Sequence, residues 1–163
     1  MVGGNAVEEA FKMMTYGVYI IGTAAAGKIN GMTAAWVTRV SVDPPLLLVA
    51  ISKGHYTTEL IRASRVFSVN LVSPQQAELA AKCGSVSGRI CNKLVDEEIE
   101  YGETGAPILT EAAAWLDCEE IDEFECGDHI CFVGRVVGAG KRSEQALMYR
   151  KGSMQPVPAQ NDA

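Results

Sequence analysis

Residues 22–36 read GTAAAGKINGMTAAW, and their reading separates two folds. The first half almost spells the phosphate loop of a nucleotide triphosphatase: a strand-like run, YGVYII at 16–21, enters Gly22, small residues follow, and Gly27 and Lys28 close it. That loop requires Ser or Thr after the lysine to hold magnesium, and a helix whose amino end faces the phosphate. Here Ile29, Asn30 and Gly31 follow Lys28, which supply neither the hydroxyl nor a good first helical turn. The stretch therefore reads as a Gly/Ala-rich hairpin turn between two extended runs, one from Tyr16 and one from Lys28 to Val40.

Working outward, NAVEEAFKMM at 5–14 predicts a short helix capped by Asn5. After Pro44 and Pro45, LLLVAIS at 46–52 is a nearly continuous apolar run, the pattern of a central strand covered on both faces. TTELIRAS predicts a helix, VFSVNLVS a strand, and PQQAELAAKCG a helix opened by Pro74 and closed by Gly84. Residues 93–105 are polar and acidic, and PILTEAAAWLDCEEIDEFECGD is ambiguous between helix and strand. HICFVGRVVGAG alternates as a strand, with Ile130, Phe132 and Gly134 on one face and His129, Cys131 and Val133 on the other. About six short strands with few helices, and no regular strand-helix-strand alternation, point to a mainly β fold, an antiparallel barrel with peripheral helices. We expect one domain over 1–155 and a flexible tail, PVPAQNDA, over 156–163.

Composition narrows the partners. Hydrophobic residues make up 48% and charged residues 21%, enough for a substantial core and against a disordered chain. A net charge of −6 without a Lys/Arg-dense stripe argues against nucleic acid. The longest apolar run, PPLLLVAI, is too short for a membrane span, and MVGGNAVEEA lacks the basic and apolar regions of a secretion signal, so a cytoplasmic protein off the membrane is expected. Five scattered cysteines suggest reduced thiols.

One stretch carries anion-binding chemistry. In CGSVSGRICNK at 83–93, Gly84 and Gly88 let backbone N–H groups converge, Ser85 and Ser87 add hydroxyls, and Arg89 and Lys93 add positive charge. Taken alone it is either a phosphate loop or an ordinary polar loop. His55 in SKGHYTTE reads as an exposed turn residue. Cys126, His129 and Cys131 invite a metal, but on one continuous strand Cys126 would point away from the other two, and no metal site is expected. No G-x-S-x-G or H-E-x-x-H occurs, so nothing proposes a hydrolase.

NGMTAAW, VSVDPPLLLVAISKGHYTTELI, FSVNL, CGSVSGRICNK and GDHICFVGRV together, in order and spacing over roughly residues 10–138, resemble the flavin reductase-like family of FMN-binding split barrels, which includes the flavoredoxins. The resemblance implies a six-stranded antiparallel Greek-key split β-barrel, a homodimer, and a flavin held near the subunit interface. It places FMN contacts, with FAD an alternative cofactor, at Met32, Thr33, Ala34, Ala35 and Trp36, at Ser52, Lys53, Gly54, Tyr56 and Thr57, and at Ser87, Gly88, Arg89 and Lys93. Lys53, Arg89 and Lys93, with the hydroxyls of Thr33, Thr57 and Ser87, would then answer the phosphate charge in an acidic protein. Small Ala34 and Ala35 would admit a planar ring, and Trp36 is either a ring contact or a core residue.

His129 takes the family position of a nicotinamide contact, with the exposed barrel-end histidine as its alternative; no residue is assigned as catalytic, because the flavin carries the chemistry. Cys83 and Cys91 read as packing residues rather than redox groups, and Tyr149 or Arg150 as contributions across a dimer interface. The implied activity is an NAD(P)H-dependent flavin reductase delivering electrons to a flavin, ferric or protein acceptor. The alternatives are a flavoredoxin-like carrier that exchanges electrons with a redox protein partner without oxidising NAD(P)H, and a non-catalytic flavin-binding or sensing protein.

Overall fold

Ala26 and Gly27 both have positive φ, 50° and 75°, and Ala25 pairs with Lys28, so the GTAAAGK segment turns as a two-residue hairpin. The right-handed twist of the flanking strands favours that turn geometry. It joins β2 (Tyr19–Ala25) to β3 (Lys28–Ala34) in a computed structural model that describes residues 4–150 and 152–157. The expected tail residues 158–163 lie outside the described residues, while Pro156 ends a strand.

The remaining elements are α1 (Gly4–Phe11), β1 (Tyr16–Gly17), β4 (Val37–Ser41), β5 (Leu46–Ser52), α2 (Tyr56–Ser64) and β6 (Val66–Leu71). A 3-10 turn at Pro74–Gln76 leads into α3 (Ala77–Ser85). Then come β7 (Ile99–Tyr101), β8 (Pro107–Leu109), β9 (Ala114–Cys126), β10 (His129–Lys141), β11 (Leu147–Arg150) and β12 (Ser153–Pro156). The main sheet has the order β3-β2-β6-β9-β10-β5-β4, and all its pairings are antiparallel.

The run expected to be one strand, Lys28–Val40, occupies both edges of this sheet: β3 pairs with β2, and β4 pairs with β5. Ala35 and Trp36 bend the chain between them, and β3 also touches β5. With β3 and β4 taken as one bent strand, the sheet is a six-stranded split barrel whose two edges are brought together by that segment. Ile21, Val49, Phe67, Val69, Ile130 and Phe132 fill its interior.

Several expectations are corrected. LLLVAIS is buried on one face only, with Leu47, Val49 and Ile51 inside and the alternate residues half-exposed. Strands β2 and β6 are covered on both faces along most of their length, because a second apolar cluster that joins Val18 and Ile20 to Leu79, Ala80 and Cys83 of α3 and to Leu94 backs the sheet there. Asn70 and Ser68 hold β8 against the same side: Leu109 N donates to Asn70 Oδ1 at 2.8 Å, and Ser68 Oγ donates to Pro107 O at 2.5 Å. The ambiguous 107–126 segment is β8 and β9. Asn5 lies inside α1 rather than capping it, and α1 stops at Phe11.

Candidate functional site

Three segments meet where the barrel edges join. β3 brings Asn30 and Met32; the turn after β5 brings Gly54 and His55 into the start of α2, with Tyr56 and Thr57; the chain leaving α3 brings Gly84 through Arg89, then Lys93. They enclose a cavity of about 250 Å³. Arg89 and Lys93 line it and no carboxylate does, in a chain of net charge −6. That asymmetry concentrates positive potential in one place.

Lys93 is buried, and its Nζ donates to Cys83 O at 3.2 Å and Val86 O at 2.9 Å. Burial pulls its pKa below the ordinary lysine value. Arg89 donates to Gly54 O at 3.3 Å, pairs with Glu59, and lies 5.2 Å above the Tyr56 ring, so one side chain ties the loop to the start of α2. The Ser87 hydroxyl accepts from Arg89 N at 3.2 Å. Asn30 Nδ2 donates to the buried Thr57 hydroxyl at 2.9 Å, while Asn30 Oδ1 is buried without a partner. His55 has its pKa lowered, first by burial and then by Lys93, His129 and Arg89, so it is neutral at pH 7.

Met32 and His55 also line a second cleft of about 170 Å³, whose other walls are Thr33 to Trp36, Ala50 to Ser52, and His129. The two cavities therefore adjoin. Trp36 is 51% exposed, which removes its reading as a core residue, and its ring packs on His129 with centroids 4.6 Å apart. His129 Nδ1 lies 2.7 Å from Asp128 Oδ1, and that hydrogen bond depresses the Asp128 pKa. Thr33 donates its hydroxyl to Ala80 O at 2.6 Å, so it braces α3 rather than offering a proton to an anion.

Of the residues singled out from the sequence, Met32 through Trp36, Ser52, Gly54, Tyr56, Thr57, Ser87, Gly88, Arg89, Lys93 and His129 line one or other cleft. Lys53 lines neither: its Nζ is 2.6 Å from Glu125 Oε2 at the end of β9, so an acid distant in sequence draws it away. Asn30 and His55 were missed. The signal for His55 was its place directly before the helix start; for Asn30, a polar residue amid an apolar strand. Cys126 is corrected: it sits opposite His129 across the Gly127–Asp128 turn, hence on the same sheet face as His129 and Cys131. Among the described residues no group of three or more His, Cys, Asp or Glu could hold a metal. Cys83 is buried with its thiol pKa raised by burial, whereas Cys91 is exposed and does not pack.

Residues 11–158, spanning both clefts, match the family described as flavin reductase like domain. The chain belongs to that family. It is 32% identical to a probable flavin reductase of Rhizobium meliloti (strain 1021), over 91% of this chain and 47% of that protein. This family member thus spans about half the length of the first curated relatives it matches. Among solved structures it is similar to a flavoredoxin from Methanosarcina acetivorans, with 30% identity, a TM-score of 0.84, and 91% and 88% of the two chains covered. It is also similar to an FMN-binding protein from Thermus thermophilus, with 32% identity, a TM-score of 0.85, and 92% and 90% covered.

The donor set of the first cavity fits a phosphate monoester. Two cationic side chains, the Ser87 and Thr57 hydroxyls, and a loop brought close by Gly88 converge with no carboxylate in the lining, and Arg89 is held from outside it by Glu59. A Cβ at Gly88 would stand 2.0 Å from Asn30 Oδ1, so the loop lies directly on the Asn30–Thr57 pair. The second cleft fits a flat ring, since Ala34, Ala35 and Ala50 leave its walls low. Among the described residues no helix is long and apolar enough to cross a membrane.

Proposed function

We propose that this chain is an NAD(P)H-dependent flavin reductase holding FMN along the two joined clefts, and the observation that carries the reading is their pairing. A cationic, acid-free pocket opens at Met32 and His55 into a cleft of small residues flanked by exposed Trp36 and His129. Bound flavin would supply the redox chemistry, accepting a hydride from the nicotinamide and releasing electrons to a flavin, ferric or protein acceptor. Arg89, Lys93, Thr57 and Ser87 hold the phosphate. Ala34 and Ala35 let the ring approach the backbone, and Asp128 fixes the His129 ring so that, with Trp36, it positions the nicotinamide at the mouth. No side chain is required to move a proton.

The test is to load the protein with FMN and mix it anaerobically with NADH or NADPH in a stopped-flow instrument. Loss of the oxidised-flavin absorbance within a turnover time is expected. Bleaching too slow to support turnover with either donor sinks the reductase reading and favours the second one, a carrier that receives electrons from a redox protein; similarity to a flavoredoxin supports it. We also read the protein as a cytoplasmic homodimer, supported by five free cysteines and by the exposed apolar residues of α1.

A further inference from the structure

The segment CGDHIC at 126–131 places two thiols beside His129 that the flavin site leaves unused. β9 ends at Cys126, the chain reverses through Gly127, with φ 61°, and Asp128, and β10 starts at His129. In that register Cys126 faces His129 and Phe124 faces Cys131, so these four side chains share one face of the hairpin. Cys126 and Cys131 are diagonal neighbours on it, and each adjoins His129, one across the hairpin and the other two residues along β10. Burial raises the Cys131 thiol pKa first, and Cys126 adds to it by its charge and by a hydrogen bond, which brings the two sulfurs into contact. Cys126 is exposed and Cys131 is buried, so one thiol meets solvent with the other directly behind it. Cys91 is exposed as well, but it acts on Cys83 by charge alone. Among the described residues His129 does not complete a metal site with the pair.

An exposed thiol in contact with a sheltered one is the arrangement of an oxidisable pair, since a sulfenic acid formed on the first condenses with the second. Hydrogen peroxide is the oxidant, released when dioxygen takes the electrons of a reduced flavin in the cleft that Trp36 and His129 flank. We infer that Cys126 and Cys131 form a peroxide-driven disulfide that displaces His129 and slows hydride delivery from the nicotinamide. In the first step the Cys126 sulfur attacks one peroxide oxygen and the O–O bond breaks, giving the sulfenic acid and water. In the second, the Cys131 sulfur attacks the Cys126 sulfur; the S–S bond forms, the S–O bond breaks, and the hydroxyl leaves as water with the Cys131 proton. Exchange with external thiols reverses the bond. The bridge crosses the face beside an imidazole held by Trp36, at 4.6 Å between ring centroids, and by Asp128 at 2.7 Å, so drawing the sulfurs together moves that ring from its place. The inference rests on the flavin and nicotinamide sites proposed above, and it makes turnover onto dioxygen self-limiting.

The experiment treats FMN-loaded wild type, Cys126→Ser and Cys131→Ser with a small excess of hydrogen peroxide, quenches with catalase and alkylates with iodoacetamide. Peptide mass spectra of wild type should show Cys126 and Cys131 joined and unalkylated, with Cys91 alkylated. Anaerobic mixing with NADH or NADPH should then bleach the flavin about tenfold more slowly than in untreated protein, the scale of a misplaced positioning group. Dithiothreitol should restore the rate. FMN affinity should stay within about twofold, because neither cysteine lines the phosphate pocket. Cys126→Ser should bleach at the untreated rate with or without peroxide, and Cys131→Ser should accumulate a Cys126 sulfenic acid that dimedone traps.

Cys126 carried on to the sulfinic acid while Cys131 stays alkylatable, or a bond formed between two chains, overturns the pair. A joined pair with an unchanged bleaching rate overturns its action on His129. Untreated protein that fails to bleach with either donor overturns the reductase reading instead, and the joined mass in wild type against Cys126→Ser still decides the disulfide.

Discussion

Gly88 has no room for a side chain: a Cβ there would stand 2.0 Å from Asn30 Oδ1 and 3.2 Å from Tyr56 Cδ1. Asn30 is buried and bonded to Thr57, so it has little freedom to retreat. Gly88→Ala should therefore lift the loop off β3 and weaken FMN binding about tenfold, or ~1.4 kcal/mol, with the fold retained. Calorimetric titration checks this, and unchanged affinity would show that the loop does not touch the ligand. Lys93 offers a second residue-level prediction. Its folded pKa is depressed by burial, so its ammonium is lost at a pH where an exposed lysine keeps its charge. FMN affinity should be level near neutrality and fall as pH rises through that depressed pKa. Lys93→Met should abolish this alkaline limb and cost about 10- to 100-fold in affinity at pH 7, the range for a charge-assisted hydrogen bond of roughly 1.5–3 kcal/mol. Identical pH profiles for the two proteins would remove Lys93 from the phosphate site.

At the scale of elements, β9 carries a buried acid where it meets the end of α2. Arg65 caps α2 in the left-handed region, φ 61°, and its carbonyl accepts from Glu120 N at 2.9 Å. Glu120 Oε2 lies 2.7 Å from Arg65 Nε but off the hydrogen-bonding axis, and Oε1 has no partner. Burial raises the Glu120 pKa and Arg65 only partly opposes it. A carboxyl with a raised folded pKa favours the folded state while protonated in both states, and that advantage is lost as pH rises from the unfolded pKa through the folded one. Glu120→Gln should thus match wild type in acid and exceed it in thermal stability above that window, the gain growing with pH and then levelling; a gain confined to acid pH would contradict this. The strands themselves were legible because their alternation is local: VFSVNL and HICFV each place alternate apolar residues in the barrel interior. What covers a strand was not, since β2 and β6 owe their second buried face to α3 and β8, which follow both strands in the chain and reach them only through tertiary packing. The site divided in the same way. The SGR segment and MTAAW could be placed by motif, whereas the capture of Lys53 by Glu125 and the approach of Asn30 to Gly88 are tertiary.

For the whole molecule, the question is what covers α1. It has eight residues, none of them buried, and Phe11 at its end and Met14 just beyond are exposed. An isolated helix of that length is marginal in water, because nucleation is costly and most helical stability in proteins comes from packing an apolar face. Val40 and Val42 at the β4 edge are exposed as well, so one chain leaves apolar surface on more than one element. A second copy would remove that surface from water, which favours association by roughly 25 cal/mol per Å² before the cost of docking. Sedimentation equilibrium at micromolar concentration should give twice the mass of one chain. Phe11→Asp should shift the equilibrium towards monomer while leaving the far-ultraviolet circular dichroism of the barrel unchanged. A wild-type protein that sediments as a monomer, with α1 still helical, would show that this helix needs no partner and would remove the homodimer from the functional reading.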